Sequence, residues 1–513
     1  LIPASKVVEF GTVQPDRATF SAGLAAGHAQ LVWTRIVADT ETPVSAMLKL
    51  GAEQSGSFLL ESVEGGQVRG RYSLLGLDPD LVWRATGDAS EVNRQWKTDR
   101  EAFEAMPGGA LAALRRLVAE ARAAVPAQLP PALACLVGYI GYEAVRLVEP
   151  SVPANDPSPL GVPDMVFVRP TLLLVFDRLK DELFIVAPVF ATADADAAYD
   201  AAIERIETVQ ARLARPQMPR GPALTDLPDG TPVPRVTPAR YAEMVAKAKE
   251  YILAGDIFQV VLAQRFSVDF PLPPFDLYRA LRRINPSPFL YFLDLPGFAL
   301  VGSSPEILVR VRDGDVTIRP IAGTRPRGRD AVEDAENRAS LLADAKEQAE
   351  HLMLLDLGRH DTGRVALPGT VTVTSRAEVE FYSHVMHIVS NVRGRLDTRC
   401  DAIDALLAGF PAGTVSGAPK VRAMQVIAEL EPEARGAYAG GVGYFSPDGN
   451  MDSCIVLRTA VVKDGVMHVQ AGAGIVADSV ATYEQRECEA KAGALIAAAR
   501  EALKAAAAAG FGQ

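Results

Sequence analysis

The sequence predicts an α+β protein built in layers, on three observations. Short apolar or alternating runs bounded by glycine and proline recur along the chain, and between them lie stretches whose apolar residues fall at helical spacing. No Gly-rich phosphate loop of the kind that opens a nucleotide-binding sheet is present, since Gly138-Tyr-Ile-Gly141 has neither its spacing nor its flanking helix. With 513 residues, 49% hydrophobic and 22% charged, the chain can bury a large core, as one composite domain or two to three ordinary ones.

From Leu31 to about Arg84 the pattern is strand and turn. Phe58-Leu59-Leu60-Glu61-Ser62-Val63 is a short apolar run closed by a Glu-Gly-Gly turn, and Gly70-Arg71-Tyr72-Ser73-Leu74-Leu75-Gly76 is its expected hairpin partner. Residues 101–125 read as helix, 136–143 as a glycine-punctuated turn, and 165–176 and 182–188 as strands. Seven prolines between Arg215 and Pro238, in a stretch with little periodicity, mark a linker. The expected division is an N-terminal region 1–214, a linker 215–237 and a second region 238–513.

In the second region Thr237 can cap, and Pro238 can open, a helix running through Tyr241, Met244, Val245, Ala248 and Ile252 to a stop at Gly255. A long strand is expected from Gly255 through Phe266, and another ends at Gly302-Ser303-Ser304-Pro305-Glu306. A helix from about Asn337 to Gly358 contains Lys346-Glu347-Gln348-Ala349-Glu350-His351-Leu352-Met353. Its two carboxylates project from one face, about 60° apart around the axis. A helix near the C-terminus repeats the arrangement: Thr482-Tyr483-Glu484-Gln485 reads as a capping box, Glu484 and Glu487 share a face, and Lys491 follows one turn on. Either pair alone is ordinarily a solvated acidic face. Two such helices meeting in space would make a site for a hard cation, and Mg²⁺ fits best because it takes one or two carboxylates and leaves other positions to water and an anionic ligand.

The formal charge of −11 and a pI near 5.3 argue against nucleic-acid or membrane-surface partners, which require a basic stripe. An anionic ligand must then be held by local charges. Cysteines at 135, 400, 454 and 488 show no metal or redox spacing, the pattern of reduced thiols. No apolar run reaches membrane-spanning length and no signal-peptide pattern opens the sequence, so the expected location is cytoplasmic.

Five segments carry a more specific signal: Arg319-Pro-Ile-Ala-Gly-Thr-Arg-Pro-Arg-Gly328, Lys346-Glu-Gln-Ala-Glu-His-Leu-Met-Leu-Leu-Asp-Leu-Gly-Arg359, Tyr382-Ser-His-Val-Met-His387, Phe410-Pro-Ala-Gly-Thr-Val-Ser-Gly-Ala-Pro-Lys420 and Gln470-Ala-Gly-Ala-Gly-Ile-Val-Ala-Asp-Ser479. They closely resemble the chorismate-utilising enzymes and, within that family, the large component of anthranilate synthases. The likeness is dense from about residue 237 to 500. It is thinner in the first half, where Leu59-Leu-Glu-Ser62, Arg71-Tyr72-Ser73 and Gly138-Tyr-Ile-Gly-Tyr142 carry it.

The resemblance implies large β-sheets with helices on the outside and a carbon–oxygen lyase that converts chorismate and ammonia to anthranilate and pyruvate, the first step of tryptophan biosynthesis. It places Mg²⁺ on Glu350 and Glu487, with Glu347 and Glu484 supporting them or reaching the ion through water. Glu306 is implied as the general acid that protonates the departing hydroxyl, which requires a raised pKa, and His387 as the base that removes the ring proton. Arg458 would clasp the enolpyruvyl carboxylate, Gly323, Thr324 and Tyr438 would line the substrate, Gly472, Ala473 and Gly474 would offer backbone N–H groups, and Lys491 would add positive charge beside the metal.

Two positions bear on the subtype. Water-using relatives carry lysine where this chain has Gln259, and aminodeoxychorismate-forming relatives carry lysine where it has Ala322. Glutamine cannot take a proton from water and alanine cannot attack the ring, so ammonia and anthranilate are the expected nucleophile and product. The chain lacks a Gly-x-Cys-x-Gly nucleophile, so the glutamine amidotransferase is expected on a separate subunit, and the resemblance implies a heterotetramer of two of each chain. The resemblance also implies a remote feedback site for L-tryptophan at Glu61, Ser62, Arg71, Pro288, Phe289, Leu290, Tyr444 and Cys454, with Glu61 meeting the ligand's amino group. Arg359-His360-Asp361 and Val480-Ala481 depart from the family's usual Arg-Asn-Asp and Asp-Pro. Two alternatives stay open: the large component of aminodeoxychorismate synthase, and a catalytically weakened regulatory paralogue.

Overall fold

A computed structural model of the protein describes residues 9–51, 54–64, 68–190, 194–216, 225–382 and 385–508. The α+β expectation holds: among the described residues two twelve-stranded sheets, antiparallel at every pairing of their strands, stack with helices outside them, and a two-stranded ribbon, Val63–Glu64 with Val68–Arg69, stands apart. An apolar layer containing Trp33, Val82, Tyr139, Phe184, Tyr291, Leu300 and Cys454 lies between the sheets. The outer face of the first sheet is covered by helices Arg17–Ala25, Pro43–Leu50, Ala195–Leu213, Pro274–Ile284 and Ala481–Ala507, through residues such as Phe20, Met47, Tyr199, Leu277 and Leu495. Helices Ala110–Glu120, Pro238–Leu253, Ala402–Ala408 and Lys420–Leu430 pack on a second outer core.

Both sheets mix strands of the two regions. In the first, Phe58–Glu61 pairs with Phe289–Leu295, Leu290 opposite Glu61. In the second, Leu136–Ile140 pairs with Gly441–Phe445, Tyr139 opposite Val442. The regions are therefore interleaved strand by strand. Part of the proline-rich stretch, 217–224, lies outside the described residues, and Val233–Pro234 adds a short edge to Gln259–Asp269.

Phe58–Glu61 and Tyr72–Leu77 form the expected hairpin pair, Leu59 opposite Leu75, while 65–67 of the expected turn lie outside the described residues. Residues 136–140 are a strand where a turn was expected. Gly138 serves close approach there, because a Cβ would lie 1.9 Å from the Val166 carbonyl oxygen. The helix expected over 101–125 is confined to Ala110–Glu120, with Gly108 and Gly109 at positive φ just before it. Thr237 caps Pro238–Leu253 as expected, accepting the Arg240 N–H at 3.2 Å. The following strand starts at Gln259, since Gly255 turns the chain at φ +83°.

The stretch from Asn337 to Gly358 is two helices, Ala331–Ala343 and Ala345–Gly363. The break falls at Asp344, whose carboxylate accepts the N–H groups of Lys346 and Glu347 and so caps the second helix. The capping box at Thr482 does not form. The C-terminal helix already begins at Ala481, with Val480 at the cap position and no side-chain cap bond.

Candidate active site

The strands Gln259–Asp269 and Val466–Ile475 lie side by side, Val261 opposite Gly474 and Ala263 opposite Gly472. Over their ends stand the two acidic helices. Gln259 donates from Nε2 to Glu350 Oε1 at 3.3 Å, and a Cβ on Gly474 would come within 2.6 Å of that same amide. Gly323, at φ +78°, brings its strand close enough that a Cβ would lie 3.2 Å from Glu347 Oε2. Lys491 joins the second helix to the strand, Nζ lying 2.7 Å from Glu487 Oε1 and 2.9 Å from the Gly472 carbonyl.

The two Glu-x-x-Glu helices therefore converge. Burial raises the pKa of Glu350, and the charges of Glu347 and Glu487 act in the same direction. Glu484 is also buried and raised, first by desolvation and then by Glu487. Arg325 holds Glu347 at 3.0 Å and Asp344 at 2.7 Å, which ties the helix cap to the carboxylate one turn on. Among the described residues no group of three or more His, Cys, Asp or Glu forms a ready-made metal cage. The helices offer crowded hard oxygen donors, a set that fits Mg²⁺ shared with water and an anionic ligand.

Glu306 follows the strand Phe298–Ser304 and is buried. Its pKa is pushed up to about 8 by burial, with Thr414 and Lys491 pulling the other way. Thr414 Oγ1 donates to Glu306 Oε1 at 3.0 Å. His387 stands on Val385–Arg395, opposite Thr324. Its Nδ1 lies 3.1 Å from the Gly323 carbonyl and 3.0 Å from Thr324 Oγ1. A carbonyl can only accept, so Nδ1 carries the proton and Nε2 the lone pair. Burial, with the Arg458 and Lys491 charges behind it, lowers this imidazole to about 4.

Arg458 has φ +47°, a conformation a non-glycine residue seldom adopts. No ion pair engages its guanidinium among the described residues, and burial lowers its pKa. Pairing of Val466–Ile475 with Thr459–Lys463 stops at Val469, which leaves the strand edge beyond it open. Both main-chain groups of Gly472 face that edge, one meeting Tyr438 and the other Lys491. Strand alternation turns Gly474 the same way and turns Ala473 into the ladder with Leu262. Ala473, expected as an N–H donor, is thus a spacer between two donors.

Thr414 and Arg325 had no role in the sequence reading. Both sit in the resembling segments, Thr414 directly after Gly413, but which carboxylate each meets depends on chain segments far away. The residues expected around tryptophan gather where the two regions join. Phe289, Tyr444 and Cys454 share the inter-sheet core, and Leu290 pairs with Glu61. Burial opposes the charge on Glu61, but Arg282 and Arg178 outweigh it. Its oxygens accept from Arg282 at 2.9 and 3.0 Å, from Tyr278 at 2.7 Å, and from Arg178. Arg71 points elsewhere, forked onto Asp177 at 3.0 and 2.7 Å.

Comparison with known proteins agrees with this geometry. Residues 58–497 match the chorismate binding enzyme family. Anthranilate synthase component 1 of Cereibacter sphaeroides is 53% identical over 490 residues, covering 94% of this chain and 97% of the relative. That of Pseudomonas aeruginosa is 47% identical, covering 88% and 91%. The crystal structure of anthranilate synthase component I from Streptococcus pneumoniae superposes with a TM-score of 0.73 at 35% identity, over 90% of this chain and 99% of that one. The menaquinone-specific isochorismate synthase of Escherichia coli shares the fold, with a TM-score of 0.69 at 20% identity over 94% and 98%. The chain belongs to the chorismate-binding enzyme family, within its anthranilate synthase component 1 group.

Proposed function

We propose that the protein converts chorismate and ammonia to anthranilate and pyruvate with Mg²⁺ at Glu350 and Glu487, supported by Glu347 and Glu484. A separate glutamine amidotransferase subunit supplies the ammonia, two of each chain forming a heterotetramer, and L-tryptophan inhibits. The observation that carries the reading is the meeting of Glu350 and Glu487 beside Gln259, within reach of each other's charge. When bound, Mg²⁺ supplies positive charge for the ring carboxylate, worth on the order of several kcal/mol.

The remaining roles belong to the chain's own groups. Arg458, in no ion pair among the described residues, clasps the enolpyruvyl carboxylate, while the Gly472–Gly474 edge, Tyr438, Gly323 and Thr324 orient the ring. Glu306, protonated at neutral pH, gives its proton to the departing ring hydroxyl, which leaves as water when the C–O bond breaks. Ammonia adds at the ring carbon next to the one that bears the carboxylate, past the neutral amide of Gln259, as the ring double bonds shift towards the carbon that loses the hydroxyl. His387, neutral at the same pH, takes the ring proton on Nε2 as pyruvate leaves. At the feedback site, the ammonium of tryptophan takes the place of one guanidinium on Glu61, beside Ser62, with the apolar groups around Asn285-Pro-Ser-Pro288 bordering the indole, Phe289, Leu290, Tyr444 and Cys454 completing the site and Arg71 outside it.

Pure protein incubated with chorismate, ammonium and Mg²⁺ should generate anthranilate fluorescence, and chelation of the metal should abolish it. Formation of 4-amino-4-deoxychorismate, or no turnover, would contradict the proposal.

A further inference from the structure

The segment Gly138-Tyr-Ile-Gly-Tyr142 carries family likeness in the N-terminal region but has no part in the steps above, and with Glu143 after it the chain reaches into the second region. The Glu143 carboxylate accepts the backbone N–H groups of Arg435 at 2.7 Å and Gly436 at 2.9 Å. The N–H of Tyr142 donates to the Gly436 carbonyl at 2.8 Å. This corner grips the chain where it leads to Tyr438.

Arg435 is buried and forked onto an equally buried Glu431, Nε to Oε2 at 2.9 Å and Nη2 to Oε1 at 2.6 Å. Burial opposes its charge, but the Glu431 carboxylate more than offsets this. Its other N–H groups meet main-chain carbonyls, Nη1 to Val415 at 2.7 Å and Nη2 to Val261 at 2.8 Å. The rings of Tyr142 and Tyr438 flank the guanidinium carbon at 4.7 and 5.4 Å. Glu431 Oε1 also accepts the Ala263 N–H at 2.8 Å.

Each partner adjoins a group at the site. Val415 follows Thr414, the donor to Glu306. Val261 and Ala263 lie opposite Gly474 and Gly472. A buried ion pair adds little net stability over apolar residues of similar volume, but a planar five-donor fork can fix several segments at once. We propose that Arg435, held by Glu431 and by the Tyr142–Glu143 corner of the N-terminal region, is a positioning residue that sets Thr414 against Glu306 and the Tyr438 hydroxyl against the Gly472–Gly474 edge. This rests on Glu306 being the general acid.

The test is the pH profile of kcat in the full-length protein with ammonium as substrate, with thermal melting recorded alongside. Thr414→Val removes a donor that stabilises the Glu306 carboxylate, so the alkaline limb should move to higher pH. The other groups facing Glu306, namely Lys491, Tyr382, Arg319 and Asp361, are unchanged in every variant. Arg435→Lys keeps the charge but loses the fork. It should lower kcat by about 10- to 100-fold, as a shift on the order of 1 Å does, and move the limb in the same direction as Thr414→Val, with no further shift in the double variant. Tyr142→Leu should give a smaller effect of the same kind. Tyr142→Phe should restore the parent profile, since the Tyr142 hydroxyl has no partner among the described residues and only its ring is used. Should Arg435→Lys fail to fold, the Tyr142 pair carries the test. A limb that stays in place in Arg435→Lys and Tyr142→Leu while Thr414→Val moves it overturns the proposal. A limb unmoved in Thr414→Val shows instead that the assignment of Glu306 is wrong, and the positioning role falls with it.

Discussion

Glu306 and His387 are displaced in opposite directions by one cause. Burial penalises the charged form of each, so the carboxyl keeps its proton up to about 8 and the imidazole stays neutral down to about 4. Between those values the site holds an acid and a base in the forms the chemistry needs. Turnover should fall as pH rises through about 8, where Glu306 ionises. Stability follows the same sign. The folded chain holds this proton more tightly than the unfolded chain, whose carboxyl titrates near the ordinary 4.5, so the group's contribution is lost as pH rises from there towards 8. Glu306→Gln keeps an acceptor for Thr414 and has nothing to ionise. Its turnover should drop by about 10²- to 10⁴-fold, while calorimetry should find it more heat-stable than the parent by a margin that widens between pH 5 and 8. A margin that is flat or negative at pH 8 would contradict the assignment.

At the scale of single elements, the helix Ala345–Gly363 owes its register to Asp344. That side chain caps the first turn and shares Arg325 with Glu347, so the break after Ala343 aims both carboxylates. Glu350→Gln removes one ligand charge but leaves an oxygen for the Gln259 amide. Mg²⁺ binding measured by calorimetry, and activity at ordinary Mg²⁺, should collapse while the melting temperature stays near that of the parent. Normal turnover would remove Glu350 from the metal site. The hairpin strand Phe58–Glu61 gives a second case. Ser62 fills the space left by Gly70, whose added Cβ would lie 1.7 Å from its Oγ. Ser62→Arg has no room there and should abolish tryptophan inhibition while uninhibited turnover remains measurable. Inhibition equal to the parent's would rule the site out. The hairpin was legible because its apolar runs and glycines are local. The helix start was not, since residues 337–343 are as helical as those after the break and only the capping geometry separates them.

Across the whole molecule the two regions complete each other's sheets, at Phe58–Glu61 beside Phe289–Leu295 and at Leu136–Ile140 beside Gly441–Phe445. A chain cut within residues 217–224 should yield halves that do not fold alone, because each would expose unpaired edges and half of the inter-sheet core. Produced together, they should associate and recover activity, as size-exclusion chromatography with an anthranilate assay would show. An active, monomeric 225–513 fragment would contradict this.

The sequence by itself determined what lies close along the chain: the α+β class, the hairpin, the Thr237 cap, and the paired carboxylates at i and i+3 on two helices, which would hold a hard cation only if the helices met. Its motifs also identified the family. The tertiary structure decided which pieces meet. That Glu350 feels Glu487, that Thr414 reaches Glu306, that Ala473 turns into the ladder, and that the Tyr142–Glu143 corner of the first region grips Arg435 of the second all depend on strand order and register. Residues as far apart as Leu136 and Phe445 come together through main-chain pairing, and main-chain pairing is nearly the same for every side chain that takes part.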